Sequence, residues 1–569
     1  MNRNVESHFS QLPHVAVSRS TFDRSHTLKT SFNAGDVIPF YVDEVLPGDS
    51  FDVKTSKVVR MPSLITPIMD NIFLDTYFFF VPNRLCWEHW RELNGENTQS
   101  AWAPTVEYEV PQITSPADTG WTIGTIADYM GIPTGIPNLS VNALPFRAYA
   151  LIMNEWFRDE NLTDPLLIPT DDAVVAGTNG TNYISDVAKG GMPFVAAKYH
   201  DYFTSALPAP QKGPDVTLPV VTQPPFQDVQ VYTGSPHSVS KDLSWSVLSG
   251  SWGQPASTQY VRPIGFYGAG NTQPSTSSTR VNGNGAVAPA NDSNNPSVAP
   301  NNLWAQTSSL ALAEPGVVTI NQLRQAFQIQ KLYEKDARGG TRYIEILKAH
   351  FGVTSPDARL QRPEYLGGNR IPININQIVQ QSQTTDQSPQ GNPVGLSLTS
   401  DSHNDFRKSF VEHGFVIGLM VARYDHTYQQ GLERFWSRRD RFDYYWPVFA
   451  NLGEQAIKNK EIFAQGTDVD DEVFGYQEAW ADYRYKPNRV TGEMRSQSSQ
   501  TLDSWHLADY YDKLPSLSDT WIREDKKNID RVIAVTSSIT HQFFADLYIQ
   551  IRSTRPMPMY SVPGLVDHH

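Results

Sequence analysis

One segment of the chain combines residue types that suit phosphate and base recognition. Residues 433–446 read ERFWSRRDRFDYYW, in which arginines alternate with phenylalanine, tryptophan and tyrosine. Guanidinium groups pair with phosphates while aromatic faces stack on unpaired bases, as in single-stranded nucleic-acid sites. The same residue types also form the hot spots of arms that pack between subunits. Both interpretations stay open, and the candidate DNA-binding residues here are Arg434, Arg438, Arg439 and Arg441.

A second basic stretch lies at the N-terminus, in residues 1–32. It carries four cations against Glu6 and Asp23 and has few strong structural signals. Such an arm suits the lining of a nucleic-acid compartment, or it packs on a neighbouring subunit. The candidate DNA-binding residues in this arm are Arg3, Arg19, Arg24 and Lys29.

An acidic cluster and two histidines are candidate metal ligands. Asp468, Asp470, Asp471 and Glu472 place four carboxylates in five residues, which could bind calcium or form a solvated loop. The solvated loop is favoured. His413 and His426 flank an apolar run without partners at metal-ligand spacing, so structural roles are expected. The sequence predicts no metal and no cofactor.

The motifs of common enzymes are missing from the chain. Gly283, Gly285 and Ala288 fit the letters of a dinucleotide fingerprint, but no strand precedes them and no helix follows. GxSxG, HExxH, P-loop and CxxC patterns do not occur. This absence makes an enzyme less favoured without excluding one, and the sequence offers no candidate catalytic residues.

The overall composition indicates a β-rich protein that depends on packing and association. The 569 residues are 39% hydrophobic but only 19% charged, and prolines and glycines interrupt the chain often. A single cysteine, Cys86, excludes an internal disulfide. The net charge of −14 opposes direct wrapping of nucleic acid by the whole surface. Neither a secretory signal nor a membrane-spanning run is recognised, so no membrane insertion is expected.

Strand-like segments bracket the chain at both ends. Residues 36–45, 51–60 and 72–81 are rich in β-branched and aromatic types. Residues 414–424 form a nearly continuous apolar run, whereas residues 543–552 mix apolar and polar types as a half-buried strand does. These segments predict a β framework built from distant parts of the chain.

Helix-like segments lie between these strands. The clearest covers residues 320–338, where Thr319 and Gln322 match a capping box and Gly339-Gly340 ends the pattern. Further candidates begin at capping residues or proline and cover residues 341–350, 145–158 and 83–93.

Residues 208–302 differ in composition from the rest of the chain. They are rich in Pro, Ser, Gly and Asn and poor in charge, and they are too long for an ordinary connection. This predicts a projecting surface insertion. Its aromatic residues either recognise a receptor or form the insertion's own small core. The candidate receptor-binding residues are Trp245, Trp252, Tyr260, Phe266 and Tyr267.

Several long segments closely resemble the major capsid proteins of gokushoviruses, a branch of the Microviridae. They cover nearly the whole chain outside residues 219–302 and are far longer than any catalytic motif. The segments are residues 19–51 (RSTFDRSHTLKTSFNAGDVIPFYVDEVLPGDSF), 78–85 (FFFVPNRL), 144–162 (LPFRAYALIMNEWFRDENL), 200–213 (HDYFTSALPAPQKG), 336–368 (DARGGTRYIEILKAHFGVTSPDARLQRPEYLGG), 427–455 (TYQQGLERFWSRRDRFDYYWPVFANLGEQ), 474–492 (FGYQEAWADYRYKPNRVTG) and 555–568 (RPMPMYSVPGLVDH).

This resemblance implies a mainly β fold: a viral eight-stranded antiparallel jelly roll with long helical and loop insertions. It implies a T=1 icosahedral capsid in the virion of a bacteriophage, assembled in the bacterial host cytoplasm around circular single-stranded DNA. The implied partners are other copies of the chain, the genome, a small basic internal DNA-binding protein, scaffolding and pilot proteins, and a host surface receptor for host attachment.

The expected organisation has four parts. Residues 1–32 form an interior-facing N-terminal arm, and residues 33–207 the first part of the jelly roll. Residues 208–302 form a hypervariable insertion that builds a threefold protrusion. Residues 303–569 contain a helical insertion and the rest of the jelly roll.

One alternative from another class remains at this point. The tryptophan, tyrosine and acid content also suits a β-sandwich carbohydrate-binding protein or glycoside hydrolase, although no acid pair stands out as a catalytic couple.

Overall fold

The structure is a computed structural model. It describes residues 18–97, 106–214, 320–379 and 393–560, residues 216, 381, 390 and 391, and the backbone of six short strands between residues 231 and 305. Within these ranges, no helix is long and apolar enough to cross a membrane. By its contacts the chain divides into two units, one of residues 1–215 and 330–569, the other of residues 216–329.

The strands are, in chain order, β1 (Ser20–Asp23), β2 (His26–Phe32), β3 (Ile38–Val45), β4 (Ser50–Arg60), β5 (Ile72–Pro82), β6 (Gln112–Thr114), β7 (Ser140–Asn142), β8 (Val175–Ala176), β9 (Val231–Tyr232), β10 (Trp245–Val247), β11 (Thr279–Val281), β12 (Val287–Pro289), β13 (Val298–Pro300), β14 (Trp304–Ala305), β15 (Glu364–Pro372), β16 (Ile375–Val379), β17 (Pro393–Ser397), β18 (Thr399–Ser409), β19 (Gly414–Tyr424), β20 (Glu454–Lys458), β21 (Val473–Glu478) and β22 (Phe543–Arg555). The α-helices are α1 (Asn83–Cys86), α2 (Trp90–Leu93), α3 (Ile126–Tyr129), α4 (Leu144–Ile152), α5 (Ile320–Gly339), α6 (Tyr343–Ile346), α7 (Asn459–Ile462), α8 (Asp519–Ile522) and α9 (Lys527–Val532).

One large antiparallel sheet joins the two ends of the chain. β22 pairs with β4 on one side and with both β1 and β2 on the other, and β18 pairs with the far side of β4. Residues 20–23 and 26–32 of the predicted N-terminal arm are therefore strands of this sheet. Side chains along β22 alternate between buried and exposed, because one face of the sheet covers the core and the other meets solvent.

A second antiparallel sheet faces the first, in the order β15, β5, β19, β3. A hydrophobic core fills the space between the two sheets, and it includes Phe51 and Leu547 from the first sheet and Phe78 and Met420 from the second. The described chain is mainly β with antiparallel sheets and no closed barrel, which confirms the predicted jelly-roll class.

An additional layer covers the outer face of the second sheet. Phe146 and Ile152 of α4 share a hydrophobic cluster with Ile417 and Leu419 of β19. The Tyr149 hydroxyl of α4 donates a hydrogen bond of 2.6 Å to the Val37 carbonyl. β19 is thus buried on both faces, which explains its nearly continuous apolar sequence.

The structure confirms some of the predicted helices and divides or shifts others. α5 confirms the helix at 320–338, and α4 with a following π-helical turn (Met153–Phe157) covers residues 144–157. A single helix over residues 83–93 is wrong, because the backbone is extended at Trp87 and divides it into α1 and α2. The helix expected from residue 341 begins at Tyr343.

The second unit covers residues 216–329 and contains most of the predicted insertion. Its described strands form three two-stranded antiparallel pairs: β9 with β14, β10 with β13 and β11 with β12. The contact boundary at residue 215 lies close to the insertion start predicted at residue 208.

Candidate nucleic-acid interface

The arginine-rich aromatic segment folds as three short 3-10 helices, Arg434–Ser437, Arg441–Asp443 and Pro447–Phe449. Local carboxylates hold these turns. The Asp440 carboxylate accepts a hydrogen bond from the Phe442 amide at 2.7 Å, and the Asp443 carboxylate accepts one from the Arg439 amide at 2.7 Å. Such side-chain acceptors satisfy backbone donors that short turns leave unpaired.

Two of the four predicted arginines are committed to acidic partners inside the subunit. Arg434 Nη2 lies 2.7 Å from Glu461 Oε1, and both side chains are largely buried. Burial lowers the pKa of Arg434, but the Glu461 carboxylate outweighs that effect and raises it. Arg438 pairs with Asp482 and lies over the Tyr483 ring at 4.2 Å. These two arginines hold the segment to the subunit.

The other two arginines point to solvent. Arg439 and Arg441 are exposed, and neither makes an ion pair with the described residues. The Arg441 guanidinium lies 4.7 Å from the centre of the Phe442 ring. The segment therefore offers two cations that a polyanion can reach.

Several large aromatic side chains of the same segment are also exposed. Trp436 is 67% exposed and Trp446 is 52% exposed, and Phe442, Tyr444 and Tyr445 are similar. Several large exposed aromatic residues within one short segment favour an interaction surface. We call these five residues the aromatic surface.

A cleft of about 630 Å³ opens beside this segment. Its walls come from residues 428–438 and 482–495 together with Tyr202, Phe203 and Glu461. Lys486 and Arg489 both pair with the single carboxylate of Glu433, so the cleft keeps an excess of positive charge. The lining cations are Arg434, Arg438, Arg484, Lys486, Arg489 and Arg495, and the lining acids are Glu433, Glu461 and Asp482.

Sequence reasoning did not identify the second wall of this cleft. Residues 484–490 read RYKPNRV, a short basic run that contains an aromatic residue. The run was a detectable signal of the same type as residues 433–446. Only the fold places the two runs opposite each other.

The cations of the N-terminal arm lie in different environments. Arg24 forms a bidentate pair with Asp43, with N–O distances of 2.5 and 2.9 Å, and this hydrogen bonding raises the pKa of Arg24. Arg19 is exposed, and the Lys29 side chain is 75% exposed and 3.7 Å from Asp546. Arg3 lies outside the described residues. No described hydrogen bond or ion pair joins this arm to residues 433–446.

The predicted receptor-binding aromatics all belong to the second unit of the chain. Trp252, Tyr260, Phe266 and Tyr267 lie outside the described residues, and so do Gly283 and Gly285. Trp245 begins strand β10, of which only the backbone is described.

Most of the acidic cluster forms a 3-10 helix at Asp468–Asp471, in which the carboxylates of Asp470 and Asp471 have partners within the chain. The Asp470 side chain accepts hydrogen bonds from the backbone amides of Gln465 and Gly466. Hydrogen bonds from Lys460 and Lys458 lower the pKa of Asp471 to about 2. Among the described residues, no group of three or more His, Cys, Asp or Glu side chains is arranged to hold a metal ion.

His426 is the centre of a buried polar cluster. Its Nδ1 lies 2.9 Å from Asp509, and its Nε2 lies 3.1 Å from Glu524. Asn528 also donates to Asp509. Burial alone would lower the pKa of His426, but the two carboxylates outweigh it and raise that pKa to about 10. We call these four residues the His426 cluster; it joins three chain segments, a structural role.

Comparison with known proteins gives a match over nearly the whole chain. The family model described as capsid protein (F protein) matches residues 10–565. Capsid protein VP1 of Chlamydia phage 1 is 44% identical over 99% of this chain and 98% of its own length. Capsid protein VP1 of Spiroplasma virus 4 is 41% identical, over 98% of this chain and 97% of its own. Capsid protein VP1 of Bdellovibrio phage phiMH2K is 42% identical, over 99% and 98%.

Proposed function

The chain belongs to the capsid protein (F protein) family, and on that basis we propose that it is the major capsid protein of a Microviridae phage and builds the shell of the virion. The family match over residues 10–565 carries this conclusion. The role is structural and not enzymatic, which removes the glycoside hydrolase alternative.

The shell is a T=1 icosahedron of identical subunits around circular single-stranded DNA, assembled in the bacterial host cytoplasm. The aromatic surface supports association between copies, because exposed tryptophan, tyrosine and phenylalanine are the residues that interfaces bury. The net charge of −14 is consistent with a small basic internal protein that shares neutralisation of the genome. Scaffolding and pilot proteins assist assembly.

Electron microscopy of the expressed chain with its phage assembly partners tests this function. Uniform small shells are the expected result, and image reconstruction then gives the symmetry directly. Soluble monomers under conditions in which those partners are active would contradict the proposal. Shells of mixed size would contradict the T=1 assignment alone.

DNA contact is assigned to the cleft, to Arg439 and Arg441, and to the exposed cations of the N-terminal arm. The excess of positive charge and the nearby aromatic rings support this assignment, since phosphate pairing and base stacking act together on single strands. Arg24, Arg434 and Arg438 instead serve the subunit, because their guanidinium groups already pair with carboxylates.

Replacing Arg439 and Arg441 by Ala tests the DNA contact. We expect particles to form but to retain less genome, because phosphate neutralisation is lost while apolar contacts remain. The matched control replaces Arg359 and Arg407, two exposed arginines elsewhere on the subunit, and removes the same charge. An unchanged ratio of full to empty particles in the Arg439/Arg441 variant would contradict the DNA role. Loss of all particles would show that these arginines act between subunits.

Host attachment is assigned to the insertion at residues 208–302, which forms the threefold protrusion. Its length and low charge support a projecting element that can vary without disturbing the sandwich. Exchange of this insertion with that of a relative infecting another host should leave shell yield unchanged and redirect adsorption. Unchanged adsorption after the exchange would contradict the assignment.

A further inference from the structure

A lysine lies in the core between the two sheets of the jelly roll. Along β4, inward-facing Phe51, Val53, Thr55 and Val59 alternate with outward-facing residues, and Lys57 occupies the same inward row. The Lys57 side chain is only 1% exposed. Lysine is among the residues least often fully buried, so its surroundings call for an explanation.

Four side chains from four strands meet at this point. Lys57 of β4 is the cross-strand partner of Asp401 of β18, in the first sheet. Thr76 of β5 is the cross-strand partner of Asn369 of β15, in the second sheet. The two pairs face each other across the core. We call these four residues the Lys57 cluster.

Within the cluster, the amine of Lys57 lies close to the side-chain amide of Asn369. Lys57 Nζ lies 2.5 Å from Asn369 Oδ1. The Asn369 amide donates from Nδ2 to Asp401 Oδ2 at 2.9 Å, and the same Asp401 oxygen lies 3.4 Å from Lys57 Nζ. The Thr76 hydroxyl donates to Asn369 Oδ1 at 2.8 Å.

The environment of Lys57 makes its neutral amine easier to form than that of an exposed lysine. Burial lowers the pKa of Lys57, and the carboxylates of Asp405 and Asp401 only partly oppose that effect. Asp405 is itself buried, and this burial raises its pKa. Its carboxyl accepts a hydrogen bond from the Thr55 hydroxyl at 2.5 Å and makes none with Lys57. A desolvated neutral lysine is a nucleophile.

We propose that Lys57 and Asn369 join in an intramolecular isopeptide bond that links the two sheets. Lys57 Nζ attacks the Asn369 side-chain carbonyl carbon, Cγ. A bond forms between Nζ and Cγ, the bond between Cγ and Nδ2 breaks, and Nδ2 leaves as ammonia. The reaction needs no oxidant and no cofactor, because an amine and a primary amide give a secondary amide and ammonia.

The neighbouring residues have defined roles in this step. Asp401 Oδ2 touches both nitrogens, so it accepts the proton from Nζ and passes it to the departing Nδ2. The Thr76 hydroxyl stabilises the negative charge that develops on Asn369 Oδ1. The protein modifies itself once, and no turnover of a substrate is involved.

The bond would supply a covalent cross-link that the single cysteine cannot. Lys57 and Asn369 are 312 positions apart in the chain, so the link closes a very long loop. Cross-links across long loops restrict the unfolded chain strongly. The bond also links β4 of the first sheet covalently to β15 of the second sheet.

Mass spectrometry of the purified full-length chain tests the proposal. We expect the intact mass to be lower than the sequence mass by one ammonia. A tryptic digest should contain one branched peptide that joins the Lys57 and Asn369 regions, with no cleavage after Lys57. Peptide mapping is essential, because succinimide formation at Asn-Gly pairs such as Asn179-Gly180 also releases ammonia. Recovery of Lys57 and Asn369 only in linear, unmodified peptides would overturn the proposal.

Two variants separate the reaction from a purely structural network. Asn369→Ala removes the electrophile, and Asp401→Asn removes the proton carrier, so both should lack the branched peptide. The matched control is Lys198→Met, which changes another buried lysine that lies over the Trp521 ring, and it should keep the branched peptide. A branched peptide that persists in Asp401→Asn would overturn the role of Asp401. The digest of the chain without substitutions decides whether the bond between Lys57 and Asn369 forms, even if a variant does not fold.

Discussion

The Lys57 cluster and the His426 cluster both bury a basic side chain, but the environment lowers the pKa of Lys57 and raises that of His426. His426 has a carboxylate on each ring nitrogen, at 2.9 and 3.1 Å. The nearest partner of Lys57 is the neutral amide oxygen of Asn369 at 2.5 Å, and its nearest carboxylate, Asp401, is 3.4 Å away and partly exposed.

This difference shows that burial alone does not set the charge of a core residue. Burial penalises both charged forms. Two buried carboxylates in contact outweigh that penalty at His426, so the imidazole stays protonated. At Lys57 the penalty is larger than the carboxylate effect. The His426 cluster therefore keeps its cation charged, whereas the Lys57 cluster makes the neutral amine easier to form.

The largest expected effect comes from breaking the covalent link at the Lys57 cluster. Asn369→Ala should lower the free energy of unfolding by about 5 kcal/mol, because the unfolded chain regains the freedom of a very long loop. Urea-induced unfolding followed by tryptophan fluorescence measures this. Asn376→Ala, on an exposed strand position, is the control. A loss of only about 1–2 kcal/mol would indicate ordinary hydrogen bonds at Asn369.

The next largest effect comes from removing the ion pairs that His426 makes with Asp509 and Glu524, which we call the ionic joint. His426→Leu should lower the free energy of unfolding by about 3–5 kcal/mol, because it leaves Asp509 and Glu524 buried without a cation. His413→Leu is the control, since His413 is only partly buried and contacts the Trp90 ring. Equal losses in the two variants would argue against the ionic joint.

A pH titration of the original chain and of His426→Leu tests the same ion pairs. The folded-state pKa of His426 is about 10, above the ordinary value of 6.5. Its stabilising contribution is therefore full below pH 6.5 and is lost as the pH rises towards 10. We expect the free energy of unfolding to fall across this window and to fall less in His426→Leu. Parallel pH profiles for the two proteins would contradict the raised pKa.

The smallest expected effect tests whether Lys198 belongs to the His426 cluster. Lys198 lies 4.7 Å from the centre of the Trp521 ring and adds positive charge near Asp509. Lys198→Met should lower the free energy of unfolding by about 1 kcal/mol, the size of one partly desolvated cation–aromatic contact. A loss as large as that of His426→Leu would place Lys198 within the ionic joint itself.

Five strands of the two sheets, β3, β4, β5, β19 and β22, were predictable because their signals are local, whereas β15 and β18 were not identified. The continuous apolar run at residues 414–424 and the mixed pattern that begins at residue 543 correspond to β19 and β22, one buried on both faces and the other on one. The family resemblance and the capsid assignment also came from the sequence. The division between α1 and α2 was missed, because the extended backbone at Trp87 gives no periodic signal.

The candidate site was predictable only in part. The types and spacing in residues 433–446 identified the basic aromatic segment, but not which arginines are available. Arg434 and Arg438 find Glu461 and Asp482, which are 27 and 44 positions away. The opposite wall of the cleft comes from another basic run, so only the fold shows that a cleft exists.

The sequence by itself indicated five strands of the two sheets, because apolar runs and side-chain alternation are properties of neighbouring residues, and its long matching segments indicated the capsid family. The tertiary structure decided the partners of each buried charge. Asn369 reaches Lys57, and Asp509 reaches His426, only because strands and loops far apart in the chain pack side by side. A buried charge takes its pKa and its reactivity from those neighbours, and no local pattern specifies them.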